Sequence, residues 1–169
     1  SDTVLDSSGA DRHATPVGLN VAPLSVDTAE QKSCKVLDVP SNTSQSTRDA
    51  VDTEVVPSYL YESWQVTGTI SFWYRSDDNW NSGNERTLVD ASDYSRFYLK
   101  ITSTGALNFQ MSDYYGTIAS LTTPAQSFAA NTWVHVAITF DYHNDQHKIY
   151  INGDEEASST TGMYWAGWW

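Results

Sequence analysis

The chain has 169 residues, of which 40% are hydrophobic and 13% aromatic. This length suits one domain with a single core, and the aromatic share excludes a disordered chain, which is poor in apolar side chains. The formal net charge of -12 argues against a nucleic-acid partner, because an acidic surface repels phosphate backbones.

Short strands separated by turn residues are predicted along the chain. Residues 6–11 (DSSGAD) form a predicted loop, because Asp and Ser side chains bond to nearby backbone and Gly permits positive φ. Strands are predicted over residues 34–39, 69–75, 86–90, 97–101, 106–111, 132–141 and 148–151. The turns at 103–105 (STG) and 152–153 (NG) indicate β-hairpins. No long helix is expected, and no apolar run is long enough for membrane insertion.

The clearest predicted strand covers residues 132–141, where apolar side chains alternate with a second set. The apolar set is Val134, Val136, Ile138 and Phe140. A period of two over this length indicates a strand with one buried face, so His135 is expected to form a hydrogen bond on the other face. Many short strands with turns between them are typical of an all-β sandwich or barrel.

Six segments, in this order, resemble the LamG-like jelly roll of the concanavalin A-like lectin/glucanase superfamily. They are DSSG at 6–9, GTISFWYRS at 68–76, RTLVDAS at 86–92, YLKITSTGALNF at 98–109, NTWVHVAITFD at 131–141 and KIYINGDEEA at 148–157. The resemblance implies an all-β, antiparallel two-sheet jelly-roll sandwich, with residues 1–169 as one LamG-like domain of a larger protein. Residues 34–52 and 73–86 resemble more narrowly the LamG module of MSHA-pilus biogenesis proteins of the MshQ kind.

The sequence departs from the family pattern at both ends. Family members usually have a strand before the DSSG loop and a closing strand that pairs with it, and neither is recognisable here. Open sheet edges, together with the Trp-rich residues 163–169, are therefore expected to permit self-association. The single cysteine, Cys34, is either a buried thiol or pairs outside this chain.

The sequence predicts no catalytic residues. Retaining glycoside hydrolases need two carboxyl groups about 5 Å apart, and no E-x-D-x-E spacing occurs in the chain. Residues 154–156 (DEE) follow a hairpin turn and are interpreted as a solvated turn. His143 and His147 are interpreted as exposed loop residues rather than a metal pair. The chain is therefore predicted not to be an enzyme.

The resemblance implies a calcium site at the DSSG loop, with Asp6, Gly9 and Asp11 as candidate ligands. Ca²⁺ binds carboxylate and backbone oxygens of such turns. The C-terminal acid that relatives add to this loop is missing here, and the alternative is a turn held by hydrogen bonds alone. Asn108 with Asp113 is a second candidate calcium pair.

Aromatic and acidic residues in the turn-rich segments are candidate ligand-binding residues. Aromatic faces beside polar groups bind sugars, and the candidates are Trp80, Asp93, Tyr94, Tyr114 and Tyr115. The alternative is that these rings cap the core of the sandwich.

The function predicted from the sequence is that of a secreted recognition or adhesion module at a bacterial surface, which binds a glycan or a surface protein with calcium as a supporting cofactor. The alternatives are a self-assembling surface or pilus-associated subunit and, last, a glycoside hydrolase.

Overall fold

The computed structural model describes residues 15–17, 22–26, 35–38, 50–52, 67–91, 96–113, 116–141 and 144–160. The chain divides into two compact units, Ser1–Val56 and Pro57–Trp169, and each is described by itself. The prediction of one domain over residues 1–169 stays a prediction. The described residues contain no helix, and hence none that is long and apolar enough to cross a membrane.

The first unit contains two short antiparallel strand pairs. Strand β1 (Thr15–Val17) pairs with β4 (Ala50–Asp52), and β2 (Ala22–Val26) pairs with β3 (Lys35–Asp38). Strand β3 confirms the strand predicted at residues 34–39. The other three lie in segments without a clear period, where backbone pairing rather than side-chain pattern makes the strand.

The described residues of the second unit form two four-stranded antiparallel sheets. Sheet I has the order β12-β11-β10-β5, and sheet II has the order β6-β7-β8-β9. The strands are β5 (Thr67–Arg75), β6 (Arg86–Ala91), β7 (Arg96–Ile101), β8 (Leu107–Asp113), β9 (Gly116–Thr122), β10 (Trp133–Asp141), β11 (Gln146–Ile151) and β12 (Asp154–Ser159). The predicted all-β, antiparallel two-sheet jelly-roll sandwich is confirmed.

Two strands of this unit escaped prediction, and one of them corrects an interpretation. Strand β9 lies in a weakly patterned segment, and β12 begins with the three acids interpreted as a solvated turn. In the structure Glu155 pairs with Tyr150 of β11 and forms an ion pair with Lys148. Cross-strand pairs of this kind allow an acidic segment to complete a sheet edge.

The core lies between the inward faces of the two sheets. Strand β10 alternates strictly between buried and half-buried side chains, as its period of two predicts. Buried side chains come from both sheets and from one loop: Val134, Val136, Ile138, Phe140, Ile149 and Ile151 of sheet I, Leu99, Ile101, Leu107, Phe109, Ala119 and Leu121 of sheet II, and Trp80. Full burial of each larger aliphatic or aromatic side chain stabilises the fold by about 1.5–3 kcal/mol.

The segment 76–85 between β5 and β6 closes one end of the core. The Trp80 ring is fully buried between Tyr74 and Phe128, with centroids 6.2 Å and 5.0 Å away. The guanidinium of Arg86 donates hydrogen bonds to the Trp80 carbonyl at 2.6 Å and to Ser76 Oγ at 2.7 Å. Arg86 thus satisfies a backbone carbonyl of this segment, while the Trp80 ring belongs to the core.

The turn between β7 and β8 contains a glycine that no other residue can replace without a shift of the backbone. Gly105 has φ of 89°, and a Cβ built on it lies 2.2 Å from the Gln126 carbonyl oxygen. Gly83 has a similar φ of 91°, but no atom lies within 4 Å of its Cβ position. The two glycines therefore separate the effect of backbone strain from that of steric overlap.

We expect Gly105→Ala to lower the free energy of unfolding clearly more than Gly83→Ala does. Both variants carry the strain of a side chain at positive φ, about 1–2 kcal/mol, but only Gly105→Ala forces two backbone segments apart. Urea denaturation measures both values. Equal losses in the two variants would contradict the close approach of Gly105 to Gln126.

His147 is buried, which corrects its interpretation as an exposed loop residue. It lies on β11 opposite Phe140 of β10 and Ser159 of β12, with 2% of its surface exposed. Its Nδ1 has no hydrogen-bond partner among the described residues. Desolvation lowers the pKa of His147, and the charge of Asp145 opposes this shift. His143 lies outside the described residues.

Burial of His147 predicts a loss of stability in mild acid. Its pKa is lower in the folded state than in the unfolded chain, so the unfolded chain binds the proton first as the pH falls below about 6.5. The free energy of unfolding should then decrease until the lower, folded-state pKa is passed. Urea titrations from about pH 8 to about pH 5.5 should show a smaller decrease in His147→Leu, and parallel curves for the two proteins would refute the assignment.

Removal of the Trp80 side chain should strongly destabilise the protein. A large aromatic side chain lost from a closed core costs about 3–5 kcal/mol. We therefore expect the thermal midpoint of Trp80→Ala to fall far below that of the wild type in a calorimetric scan. Trp80→Phe, which keeps an aromatic ring, should recover part of the loss, and a wild-type midpoint in Trp80→Ala would place the ring at the surface.

Candidate ligand-binding face

Side chains alternate between the two sides of sheet I, so the strands that bury one side against the core turn the other side outward. We call the outward-facing side chains of β5, β10, β11 and β12 the outer face of sheet I. On β5 the inward positions are half-buried and the alternate positions are exposed, and on β10 the alternate positions are half-buried. The face therefore consists of side chains held on paired strands rather than on loops.

One end of the outer face is aromatic. Trp73 has 64% of its surface exposed, and no other large hydrophobic side chain among the described residues is classed as exposed. It pairs across the strands with His135, and the two ring centroids are 5.1 Å apart. His135 Nε2 lies 2.7 Å from Ser71 Oγ, which confirms the hydrogen bond predicted for His135 on this face. Beside them the Arg75 guanidinium lies 5.2 Å from the centre of the Trp133 ring.

A small side chain lies at the middle of the face. Ala137 of β10 pairs with Ser71 on β5 and with Tyr150 on β11. Its methyl group leaves space between the larger neighbours, because Cβ atoms of directly opposed residues are only about 5 Å apart. The face is thus lowest at Ala137 and Ser71, with Tyr150 as a higher border on β11 and Trp73 two residues further along β5.

The other end of the face is polar and contains a depression of about 290 Å³. The lining combines the apolar residues Gly68 and Phe140 with the polar side chains of Thr67, Thr69, Thr139, Asp141, Gln146, Lys148 and Tyr150. Such groups donate and accept hydrogen bonds in several directions. This end can therefore bind a ligand that is rich in hydroxyl groups.

The charged groups at the polar end are paired. Lys148 Nζ donates a hydrogen bond to Glu155 at 2.8 Å, which raises the pKa of Lys148, and the same hydrogen bond lowers the pKa of Glu155. Thr67 Oγ1 donates to Asp141 Oδ1 at 3.4 Å, and the amide of Asn144 donates to Asp141 Oδ2 at 2.7 Å. These contacts hold the polar side chains in place before a ligand arrives.

Trp80 corrects the prediction of a ligand-binding ring in segment 76–85. The ring is fully buried, so it offers no face to a ligand, and the alternative that it caps the core holds for this residue. Asp93, Tyr94, Tyr114 and Tyr115 lie outside the described residues, and their role stays a prediction.

The candidate calcium ligands Asp6, Gly9 and Asp11 also lie outside the described residues. Within the described ranges, no group of three or more His, Cys, Asp or Glu side chains is placed to hold a metal ion. Asn108 and Asp113 are five residues apart on β8, about 17 Å along the strand. Asn108 instead donates a hydrogen bond to Thr122 Oγ1 at 2.8 Å, so the two do not form a calcium pair.

The sequence does contain a signal for the aromatic end of the face. In the segment 69–75 (TISFWYR), Trp73 shares its strand phase with Thr69, Ser71 and Arg75, all polar. A tryptophan in the polar phase of a strand is a candidate for an exposed ring. Its neighbours Phe72 and Tyr74 conceal this signal, because three consecutive aromatic residues hide the alternation between the two faces of the strand.

Comparisons with known proteins place this architecture in a family. The family model Laminin_G_3, described as concanavalin A-like lectin/glucanases superfamily, matches residues 46–168. A crystal structure of an S-layer domain-containing protein from Clostridium thermocellum is similar with 23% sequence identity and a TM-score of 0.38. That match covers 88% of this chain and 61% of the crystallised chain (residues 221–444 of that protein), so this chain spans less than two thirds of the chain it matches. The search of curated proteins gives no significant match.

The family match covers most of the chain and includes every strand of both four-stranded sheets. It supports the superfamily resemblance, while the narrower likeness to MshQ-type modules stays a prediction. The family fits a domain that binds carbohydrate or protein. By its matched residues and by its two-sheet fold, the chain belongs to the concanavalin A-like lectin/glucanases superfamily.

Proposed function

We propose that this chain is an extracellular recognition module that binds carbohydrate through the outer face of sheet I. The observation that carries the proposal is Trp73, a ring 64% exposed at one end of a sheet face whose other end contains a depression with polar side chains. Sugar rings stack on aromatic faces and present hydroxyl groups to polar neighbours. The outer face offers both kinds of contact on one rigid surface.

The polar end favours a sugar over an apolar or protein ligand. Its lining contains three threonines, a tyrosine, an amide and two charged groups, all able to bond hydroxyls. The centres of protein interfaces are depleted in charged residues, whereas Lys148 and Asp141 both line this depression. The family also fits a carbohydrate- or protein-binding module, and these side chains favour the first.

The proposal includes binding without catalysis and a location outside the cell. The absence of an E-x-D-x-E spacing from the sequence supports the first point. The family resemblance supports the second. Calcium remains part of the proposal through Asp6, Gly9 and Asp11, whose oxygens would be the ligands, and a binding screen run with calcium and with a chelator tests it.

We expect Trp73→Ala to weaken glycan binding by tenfold or more, a loss of about 1.4 kcal/mol or more, with little effect on folding. A glycan array followed by calorimetric titration of the best sugar measures the affinity. The free energy of unfolding should change by less than about 0.5 kcal/mol, because the ring is largely outside the core.

Tyr98→Ala is the matched control, because Tyr98 alternates with the buried Leu99 and therefore lies on the outer face of sheet II. This variant should bind the sugar like the wild type. The proposal fails if no sugar binds, or if Trp73→Ala binds as well as the wild type. A stable multimer without glycan binding would instead support the self-assembling subunit.

A further inference from the structure

The outer face of sheet I is long in the direction of its strands. Trp73 and Thr67 are six residues apart on β5, which corresponds to about 20 Å. Their partners on β10 are His135 and Asp141, so the second strand carries the face over the same length. A single sugar ring covers only one end of such a surface.

The two ends are continuous through the middle of the face. Between the aromatic end and the polar end lies Ala137, flanked by Ser71 and Tyr150. A small residue at this point leaves the route between the ends open, whereas a large side chain there would divide the face. The contacts at both ends are thus available to one extended ligand.

The charges of the face balance. Its outward strand positions carry two cations, Arg75 and Lys148, and two carboxylates, Asp141 and Glu155. Lys148 is paired with Glu155 at 2.8 Å, and Arg75 lies over Trp133. The chain as a whole has a net charge of -12, which repels acidic polymers. This electrostatic arrangement suits a neutral ligand.

From length, continuity and charge, we infer that the ligand is a segment of a neutral polysaccharide several sugar units long, which lies along β5 and β10. Its stacked sugar contacts Trp73, and units further along the chain reach the polar depression at Thr69, Thr139 and Gln146. The inference rests on the proposed function and adds the class and the size of the ligand.

The test uses neutral oligosaccharides of β-1,4-glucan, xylan, mannan and chitin, each from the monosaccharide to the hexasaccharide, with oligogalacturonate as the acidic series. Calorimetric titration of the whole chain should show affinity rising with length, at least tenfold from disaccharide to hexasaccharide, in one neutral series. Oligogalacturonate should bind at least tenfold more weakly than the neutral oligosaccharide of the same length.

Variants at the two ends distinguish an extended ligand from a short one. Trp73→Ala should weaken binding of both disaccharide and hexasaccharide, whereas Gln146→Ala should weaken only the hexasaccharide, by about threefold to tenfold, the loss of one ordinary hydrogen bond. Tyr98→Ala on the other sheet should change neither. Circular dichroism of each variant confirms that it is folded.

The outcomes separate this inference from the proposed function. If a monosaccharide binds as tightly as the hexasaccharide and Trp73→Ala abolishes both, the function stands and the extended ligand is wrong. The same holds if Gln146→Ala leaves the hexasaccharide unaffected or if the acidic series binds best. If no series binds to the wild-type chain, the proposed function falls, and the inference falls with it.

Discussion

The alternation of side chains along β10, packed against sheet II, is the contact on which the rest of the second unit depends. Val134, Val136 and Ile138 have no exposed surface, and Phe140 has little. Strand β10 is paired on both sides, with β5 and with β11, so the direction in which its side chains point also fixes which side chains of both neighbours point inward. A slip of one residue would turn this whole row towards solvent, which makes the register strongly determined.

The same constraint builds the outer face. Because the inward row of β10 must be apolar, the outward row is free of the packing requirement and can carry Trp133, His135 and Ala137 instead. Pairing with β5 then places Trp73 against His135 and Ser71 within hydrogen-bond distance of it. A binding surface built on paired strands is already ordered, so ligand binding does not incur the entropy cost of ordering loops.

Close packing at the edges of the core supports this arrangement. At Gly68, a Cβ would lie 2.8 Å from Cζ of Phe140, so the glycine of β5 leaves room for the last ring of the inward row. At the opposite end, Arg86 binds the Trp80 carbonyl and Trp80 fills the space between Tyr74 and Phe128. Both contacts stabilise the sandwich without taking part in the outer face.

Several features of the protein could be predicted from the sequence because they depend on neighbours along the chain. The strict alternation over residues 132–141 predicts β10 and its buried row. Asn152 and Gly153 predict the tight turn, where their φ values are 53° and 94°. Six strands of the second unit and the all-β class follow from such local signals, since period and turn chemistry act within short segments, whereas the two-sheet jelly roll and the superfamily were implied by the resemblance of six segments to a known family.

Other features were decided by contacts between residues far apart in the chain. In segment 76–85 every residue except Trp80 is polar or glycine, so no local pattern indicates that the tryptophan is buried. Its ring is enclosed by the approach of Phe128, which is distant in the chain. His147 follows a loop, and its burial depends on β10 and β12. The candidate face joins Ser71 and Trp73 to His135, more than sixty positions later. Period and propensity act over a few residues, whereas strand pairing brings distant segments together, so the site is determined only when the sheets form.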